Sequence, residues 1–337
     1  MKYQENCVTL GEWATPIVEL PKLNVLVKDE GRLPTGSFKA RGLVMAVSMA
    51  KELGVKKMAM PTNGNAGAAL GAYASRCGIQ SYAFAPEDTP ITNIREMALM
   101  GTQVFKVNGY IDDCGKIVGQ GKEQVGWFDT STLKEPYRIE GKKTMGLELV
   151  EQFGWSKLPD VILYPTGGGT GLIGMWKAFK ELMHIGLLDP GTKLPRMVAV
   201  QATGCAPIVN AYNDNEKFAT RVDDAYTRSA MGIRVPAAVG DFLILDAVRE
   251  SGGFAIAVDD DSIDAAQDEA SKKEGFLLCP EGAATLAAYK ASLADGRIKG
   301  DEVALLFNCA TGLKYPMPEA GLTIDRNQPI DYQQFCT

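Results

Sequence analysis

Short apolar runs, each closed by glycine, asparagine or threonine and followed by helical spacing, recur along most of this chain; that alternation confines it to parallel βα units. The expected strands are Lys57 to Thr62, Ser81 to Ala85, Gln103 to Val107 and Gly126 to Asp129 in the first half. Asp160 to Tyr164, Arg196 to Gln201, Phe254 to Val258 and Glu302 to Phe307 follow in the second. Good helix formers lie between them: Ala66 to Arg76, Thr144 to Gln152, Leu172 to Leu182, Ser262 to Lys273 and Ala283 to Ala291. The fold class is α/β, and 337 residues suit two domains. Gly154 to Pro159 separates the two strand sets without a flexible linker. The sets should therefore pack together and leave a cleft between two sheets as the natural binding site.

Several function classes are excluded by charge and composition. The 35 Lys and Arg against 41 Asp and Glu give a net charge of -6, the wrong sign for a nucleic-acid binder, so any phosphate must be bound locally. No apolar run approaches the roughly 18 residues of a membrane span. The stretch Met1 to Cys7 lacks the basic and apolar parts of a leader, so the expected location is cytoplasmic, with no membrane partner. Cysteines at 7, 77, 114, 205, 279, 309 and 336 form no CxxC pair, so reduced thiols and no metal are expected. The single histidine, His184, sits in an amphipathic helical context from Trp176 to Ile185 and reads as structural. Any acid-base chemistry must therefore proceed without a histidine.

Three segments can carry chemistry. Thr62-Asn63-Gly64-Asn65-Ala66-Gly67 follows a strand and opens a helix, where unpaired N–H groups and the helix dipole favour a carboxylate or phosphate; read alone, it is equally a well-capped helix start. Gly167-Gly168-Gly169-Thr170-Gly171 follows the strand ending at Tyr164 and lets the backbone close on an oxyanion, with a hydroxyl from Thr170. Gly169 to Gly174 also spells GxGxxG, but the next strand ends Gln201-Ala202-Thr203 with no carboxylate for a ribose, which argues against a dehydrogenase. In Ser37-Phe38-Lys39-Ala40-Arg41-Gly42, a lysine at a helix start meets the positive dipole end and has its pKa lowered. That suits a Schiff-base lysine; in isolation the string is also a solvated lysine beside Arg41.

Together, these three strings resemble the fold-type II pyridoxal phosphate enzymes, whose members include threonine synthase, serine and threonine ammonia-lyases and the tryptophan synthase β-subunit. The order and spacing match across nearly the whole chain. Pro136-Tyr137-Arg138-Ile139-Glu140-Gly141-Lys142-Lys143-Thr144 is similar to the Arg-x-Glu-Gly-Gln-Lys-Thr element of threonine synthases. Pro280-Glu281-Gly282 and Gly312-Leu313-Lys314-Tyr315 also resemble that branch. The resemblance implies two open, twisted, mainly parallel-sheet domains with the cofactor in the cleft between them. A large domain of residues 1–45 and 146–337 would carry a smaller one of 46–145 inserted in it.

The resemblance also assigns roles. Lys39 would hold pyridoxal 5'-phosphate covalently and then serve as the base at the α-proton, with Phe38 beside it in the cofactor site. Asn65 would bind the cofactor's phenolic oxygen, Gly167 to Gly171 with Thr170 would cradle its phosphate, and Cys309 would face the pyridine nitrogen. Thr62, Asn63, Gly64 and Ala66 would receive the substrate's α-carboxylate, and Thr132 and Arg138 its distal phosphate. Two departures matter: Thr132 stands where threonine synthases usually carry asparagine, and Cys309 where a hydroxyl is more common. A neutral group at the ring nitrogen makes a weaker electron sink and favours elimination and replacement over transamination.

The expectation is a lyase or synthase acting at Cβ or Cγ of a small amino-acid substrate, with O-phospho-L-homoserine to L-threonine the leading reaction. Alternatives are a hydroxy-amino-acid ammonia-lyase, a pathway-specific replacement enzyme or, in a different class, a non-catalytic binder of an amino acid or nucleotide. Relatives are commonly dimers, which implies a homodimer.

Overall fold

The computed structural model describes residues 1–317, 321 and 323–335. Its elements are β1 (Ile17–Leu20), β2 (Val25–Asp29), α1 (Lys39–Glu52), β3 (Lys57–Pro61), α2 (Asn65–Cys77), β4 (Gln80–Pro86) and α3 (Ile91–Leu99). The chain continues through β5 (Gln103–Val107), α4 (Ile111–Val125), β6 (Phe128–Asp129), α5 (Tyr137–Gln152), β7 (Val161–Pro165), α6 (Thr170–His184) and β8 (Arg196–Ala202). It ends with α7 (Pro207–Asn213), α8 (Asp241–Glu250), β9 (Phe254–Val258), α9 (Asp260–Glu274), α10 (Pro280–Ala294) and β10 (Ala304–Asn308). The strands form a six-stranded sheet, ordered β1-β2-β10-β7-β8-β9, and a four-stranded sheet, ordered β5-β4-β3-β6. Every pairing is parallel except that of β1 with β2.

Strands covered on both faces have no polar face to show, which is why β7 and β10 read as unbroken apolar runs and are buried throughout. Side-chain alternation then splits each strand between two cores. Ile162, Tyr164, Leu305 and Phe307 pack with Met175 and Phe179 of α6, whereas Val161, Leu163 and Leu306 pack with Leu286 and Tyr289 of α10. In the smaller sheet, Met58 and Met60 meet Leu43, Val47 and Tyr73, while Ala59 faces Trp127 and Phe84.

The first two strands, β1 and β2, lie outside the apolar runs picked out in the sequence. β2 ends in Lys28 and Asp29, which are charged and yet buried. Both expected domain boundaries, 45/46 and 145/146, fall inside helices, α1 and α5, so the chain passes between the sheets within packed helices. These helices touch backbone to backbone: a Cβ on Gly141 of α5 would lie 2.1 Å from the Arg41 carbonyl oxygen of α1.

A buried ion network locks this crossing. Arg41 Nε and Nη2 lie 2.6 and 2.9 Å from the two oxygens of Glu30, and Nη1 and Nη2 lie 2.5 and 2.7 Å from those of Glu148. Lys28 Nζ adds bonds to Glu148 at 2.9 Å, Gln152 at 2.7 Å and the Thr15 carbonyl at 2.7 Å. Two cations face two carboxylates and the remaining donors are satisfied, the condition under which buried charge is tolerated. Residues two apart on a helix lie about 200° apart around its axis, so anchoring Arg41 on this side turns Lys39 to the other.

Among the described residues, no helix is long and apolar enough to cross a membrane. The six described cysteines are unpaired, and Cys336 lies outside the described residues.

Candidate active site

The first residue of α1, the N-termini of α2 and α6, and the end of β10 converge on a cavity of about 700 Å³ between the two sheets. At α6, the turn Gly167 to Thr170 follows β7, and the N–H groups of these four residues find no acceptor among the described residues. Gly169 has φ of 69°, where a side chain is strained, and a Cβ there would sit 2.3 Å from Ile244. Four free donors at the start of a fifteen-residue helix form an anion cradle. Gly171 stands apart: it is not in the cavity wall, and a Cβ on it would lie 1.9 Å from the Tyr164 hydroxyl, so its smallness serves the packing of α6 over β7.

The turn at α2 is built differently. Thr62 Oγ1 accepts from Gly64 N at 3.0 Å and Gly67 N at 2.9 Å, which fixes the loop and leaves the N–H groups of Asn63, Asn65 and Ala66 without an acceptor among the described residues. The Asn63 side chain reaches away, to the carbonyls of Met231 at 3.5 Å and Arg234 at 3.4 Å. Asn65 Nδ2 donates to the Tyr315 hydroxyl at 3.1 Å, and its buried Oδ1 has no partner.

Lys39 lines this cavity with its ammonium nitrogen 4.2 Å from the Phe38 ring centroid. It forms no ion pair with any described carboxylate. Burial, then the Arg138 guanidinium, pulls its pKa down to about 8, so a sizeable uncharged fraction is present near neutrality. Its backbone is fixed by bonds from Phe38 N to the Cys309 carbonyl and from Thr311 N to the Gly36 carbonyl, both 2.9 Å. The same bonds bring Cys309 into the wall, where burial holds its thiol protonated, with the Tyr164 hydroxyl beside it.

Arg138 and Thr132 come from the smaller-sheet side. The Arg138 side chain is buried at 2 % exposure; Nη1 donates to the Thr130 carbonyl at 2.8 Å and Nε has no partner. No carboxylate of a described residue lies within 4.0 Å of its guanidinium; Glu140 pairs instead with Lys143 and Lys177. A buried cation left so costs several kcal/mol unless an anion arrives. Thr132 faces the α6 cradle, its Cγ2 3.2 Å from where a Gly168 Cβ would be.

Thus the cavity wall gathers Phe38, Lys39, Thr62, Asn63, Gly64, Asn65, Ala66, Thr132, Arg138, Gly167, Gly168, Gly169, Thr170 and Cys309. Sequence reasoning gave no role to three further residues. Tyr315 meets Asn65, and Glu281 accepts from Gly232 N at 2.7 Å with its second carboxylate oxygen free; both belong to strings already singled out, which was the available signal. Lys142, fully buried, donates to the Phe38 carbonyl and lies 4.2 Å from the same ring as Lys39; burial pushes its pKa well down. The ensemble offers one cradle for a phosphate, a second for a carboxylate, a buried amine of lowered pKa and a guanidinium without an ion pair, which fits a phosphorylated aldehyde together with an anionic amino acid.

A family model described as pyridoxal-phosphate dependent enzyme matches residues 8–310. The threonine synthase of Methanocaldococcus jannaschii is 34% identical over 325 residues, covering 94% of this chain and 78% of that protein. The threonine synthase of Halalkalibacterium halodurans is 33% identical over 338 residues, covering 97% and 91%. Among solved structures, a pyridoxal 5'-phosphate-dependent aspartate racemase matches with a TM-score of 0.75 at 19% identity, covering 89% of this chain and 90% of that one. The processed form of threonine deaminase isoform 2 from Solanum lycopersicum matches at 0.73 and 20% identity, covering 91% and 85%. At these identities the solved structures speak for the fold alone.

Proposed function

Since this chain belongs to the pyridoxal-phosphate dependent enzymes, as a threonine synthase-like member of fold type II, we propose that it converts O-phospho-L-homoserine to L-threonine. Its cofactor is pyridoxal 5'-phosphate, which when bound supplies the electron sink for a carbanion at the substrate's Cα. In this reading Lys39 would hold the cofactor through Nζ, the N–H groups of Gly167 to Thr170 its phosphate, Asn65 its ring hydroxyl, and Cys309 the edge of its ring. Free N–H groups of Asn63, Asn65 and Ala66 receive the substrate's α-carboxylate, and the uncharged amine of Lys39 takes the α-proton. The reading includes a cytoplasmic homodimer, which light scattering tests, and the division into domains of 1–45 with 146–337 and of 46–145.

Arg138 carries the choice of substrate. A buried guanidinium with an unpartnered Nε, lining the cavity and with no described carboxylate within 4.0 Å, although Glu135 and Asp129 act on it from farther off, suits a substrate whose far end is a dianion. Arg138→Lys is expected to raise KM for O-phosphohomoserine by roughly tenfold, because lysine cannot give two parallel hydrogen bonds. Turnover of serine or threonine, which carry no distal anion, should change little. Equal losses on both substrates, with a lower melting temperature, would mean that Arg138 only braces the Thr130 loop.

Thr170 supports the cofactor half of the reading. It is the first residue of α6, buried and in the cavity wall. Thr170→Val should weaken cofactor binding by about 1–3 kcal/mol, the loss of a hydrogen bond to a charged group, measured by titrating cofactor into apoprotein. Unchanged affinity would place the phosphate elsewhere.

A further inference from the structure

One wall of the cavity is the segment from Met231 to Val239, which faces the α2 turn across the gap between the two sheets. Val222 N bonds to the Pro236 carbonyl at 3.1 Å, so this segment is the returning half of a closed loop. The loop's tip is tied to the large-sheet side. Thr227 Oγ1 donates to Asp260 at 2.5 Å, Ser229 Oγ to Asp264 at 2.5 Å, and Gly232 N to Glu281 at 2.7 Å.

The foot of the loop is tied to the other side. Arg234, 8 % exposed, places Nη2 2.8 and 2.7 Å from the two oxygens of Asp88, just beyond β4. Arg221 Nε lies 3.1 Å from Asp112 of α4. Both guanidinium carbons approach one ring, that of Tyr110 at the start of α4, at 5.9 and 6.0 Å from its centroid, within cation–π range. Two arginines of one loop thus grip two aspartates and a tyrosine of the smaller sheet's connections, and nothing in the assigned chemistry uses them.

We propose that Arg234, with Arg221, is a positioning residue: the pair clasps the loop to the smaller sheet and so sets the distance between the Met231–Val239 wall and the α2 turn. The clasp acts through backbone that it holds, since Met231 and Arg234 also offer their carbonyls to Asn63 of that turn. A cavity held at working width binds its substrate without first paying to order the wall. Opening the clasp therefore weakens substrate capture and leaves the chemical step nearly intact. The consequence for KM rests on the cavity being the substrate site; the consequence for wall mobility does not.

The test uses the holoenzyme and the variant Asp88→Asn with Arg221→Gln, both at side chains open enough to solvent for the fold to tolerate the change. Hydrogen exchange should quicken by roughly tenfold at amides between Met231 and Val239, with exchange in the β7 and β10 strands unchanged. KM should rise several-fold with kcat within about twofold of wild type. Asp88→Glu alone, which keeps a carboxylate within reach of the Arg234 guanidinium and leaves Arg221 in place, should match the wild type in both. Unchanged exchange in this wall, or exchange raised evenly over the whole molecule, would overturn the clasp. Faster local exchange with unaltered KM would leave the clasp standing and count against this cavity as the substrate site.

Discussion

Replacing Lys39 by alanine is expected to lower turnover by roughly three orders of magnitude or more, because one amine serves as both covalent anchor and base. The protein should still fold. Lys39 lines the cavity and makes no ion pair with any described carboxylate, so its removal leaves no buried partner stranded. The variant should carry no borohydride-reducible bond to the cofactor, whereas the wild type should show that bond on the peptide containing Lys39. The wild-type apoprotein gives a second check. Only the unprotonated amine attacks a carbonyl, so uptake of the cofactor should accelerate as pH rises and level off above about 8, rather than near the ordinary lysine value of 10.5. Wild-type turnover in the alanine variant would remove Lys39 from the chemistry.

Arg41→Met is expected to be the most destabilising single change near the site, by about 3–5 kcal/mol, because it strands Glu30 in the interior and half of the Glu148 pairing with it. The melting temperature should fall on the order of 5–10 °C. The pH dependence identifies the cause. Burial would raise the Glu148 carboxyl, but bonds and charge from Arg41, then Lys28, hold it below the usual carboxylate value. A carboxyl with a depressed folded pKa contributes stability above its unfolded value of about 4.3 that is lost as pH falls through the lower folded value. Without Arg41 the depression shrinks and less stability remains to be lost in acid, so the gap between variant and wild type should be widest near neutral pH and narrow as pH falls through the carboxyl range. A loss of stability that is the same at every pH would point to lost packing alone. Because Arg41 sets the rotation of α1, cofactor binding at Lys39 should weaken in the same variant.

What was legible in the sequence follows from how far each feature reaches along the chain. Parallel strands buried on both faces, such as Val161–Pro165 and Ala304–Asn308, announce themselves as apolar runs, and the two cradles are contiguous turns between a strand and a helix. β2 escaped because Lys28 and Asp29 are apt for burial only through distant partners: Glu148 lies 120 residues from Lys28, and Asn308 donates to Asp29 across 279. α4 was hidden by Gly115, Gly119 and Gly121, poor helix formers that a packed Trp127 and an open cavity wall make acceptable. In the site, Tyr315 reaches Asn65 across 250 residues and Arg234 reaches Asp88 across 146. No local pattern encodes such pairs. Arg41 shows the converse: the string could be read as a solvated lysine beside it and gave Arg41 no role, and only the fold reveals that it is buried with two carboxylates.

The central claim is the identity of the reaction, and the most direct measurement is product analysis of the purified holoenzyme given O-phospho-L-homoserine, L-serine or L-threonine in separate vessels. Inorganic phosphate and threonine formed in equal amounts from O-phosphohomoserine, with little ketoacid from the other two, is the predicted result. Ketoacid from serine or threonine with no phosphate release from O-phosphohomoserine would contradict it, and Thr132 and Cys309, the two departures from the threonine synthase pattern, would then be the first residues to re-examine.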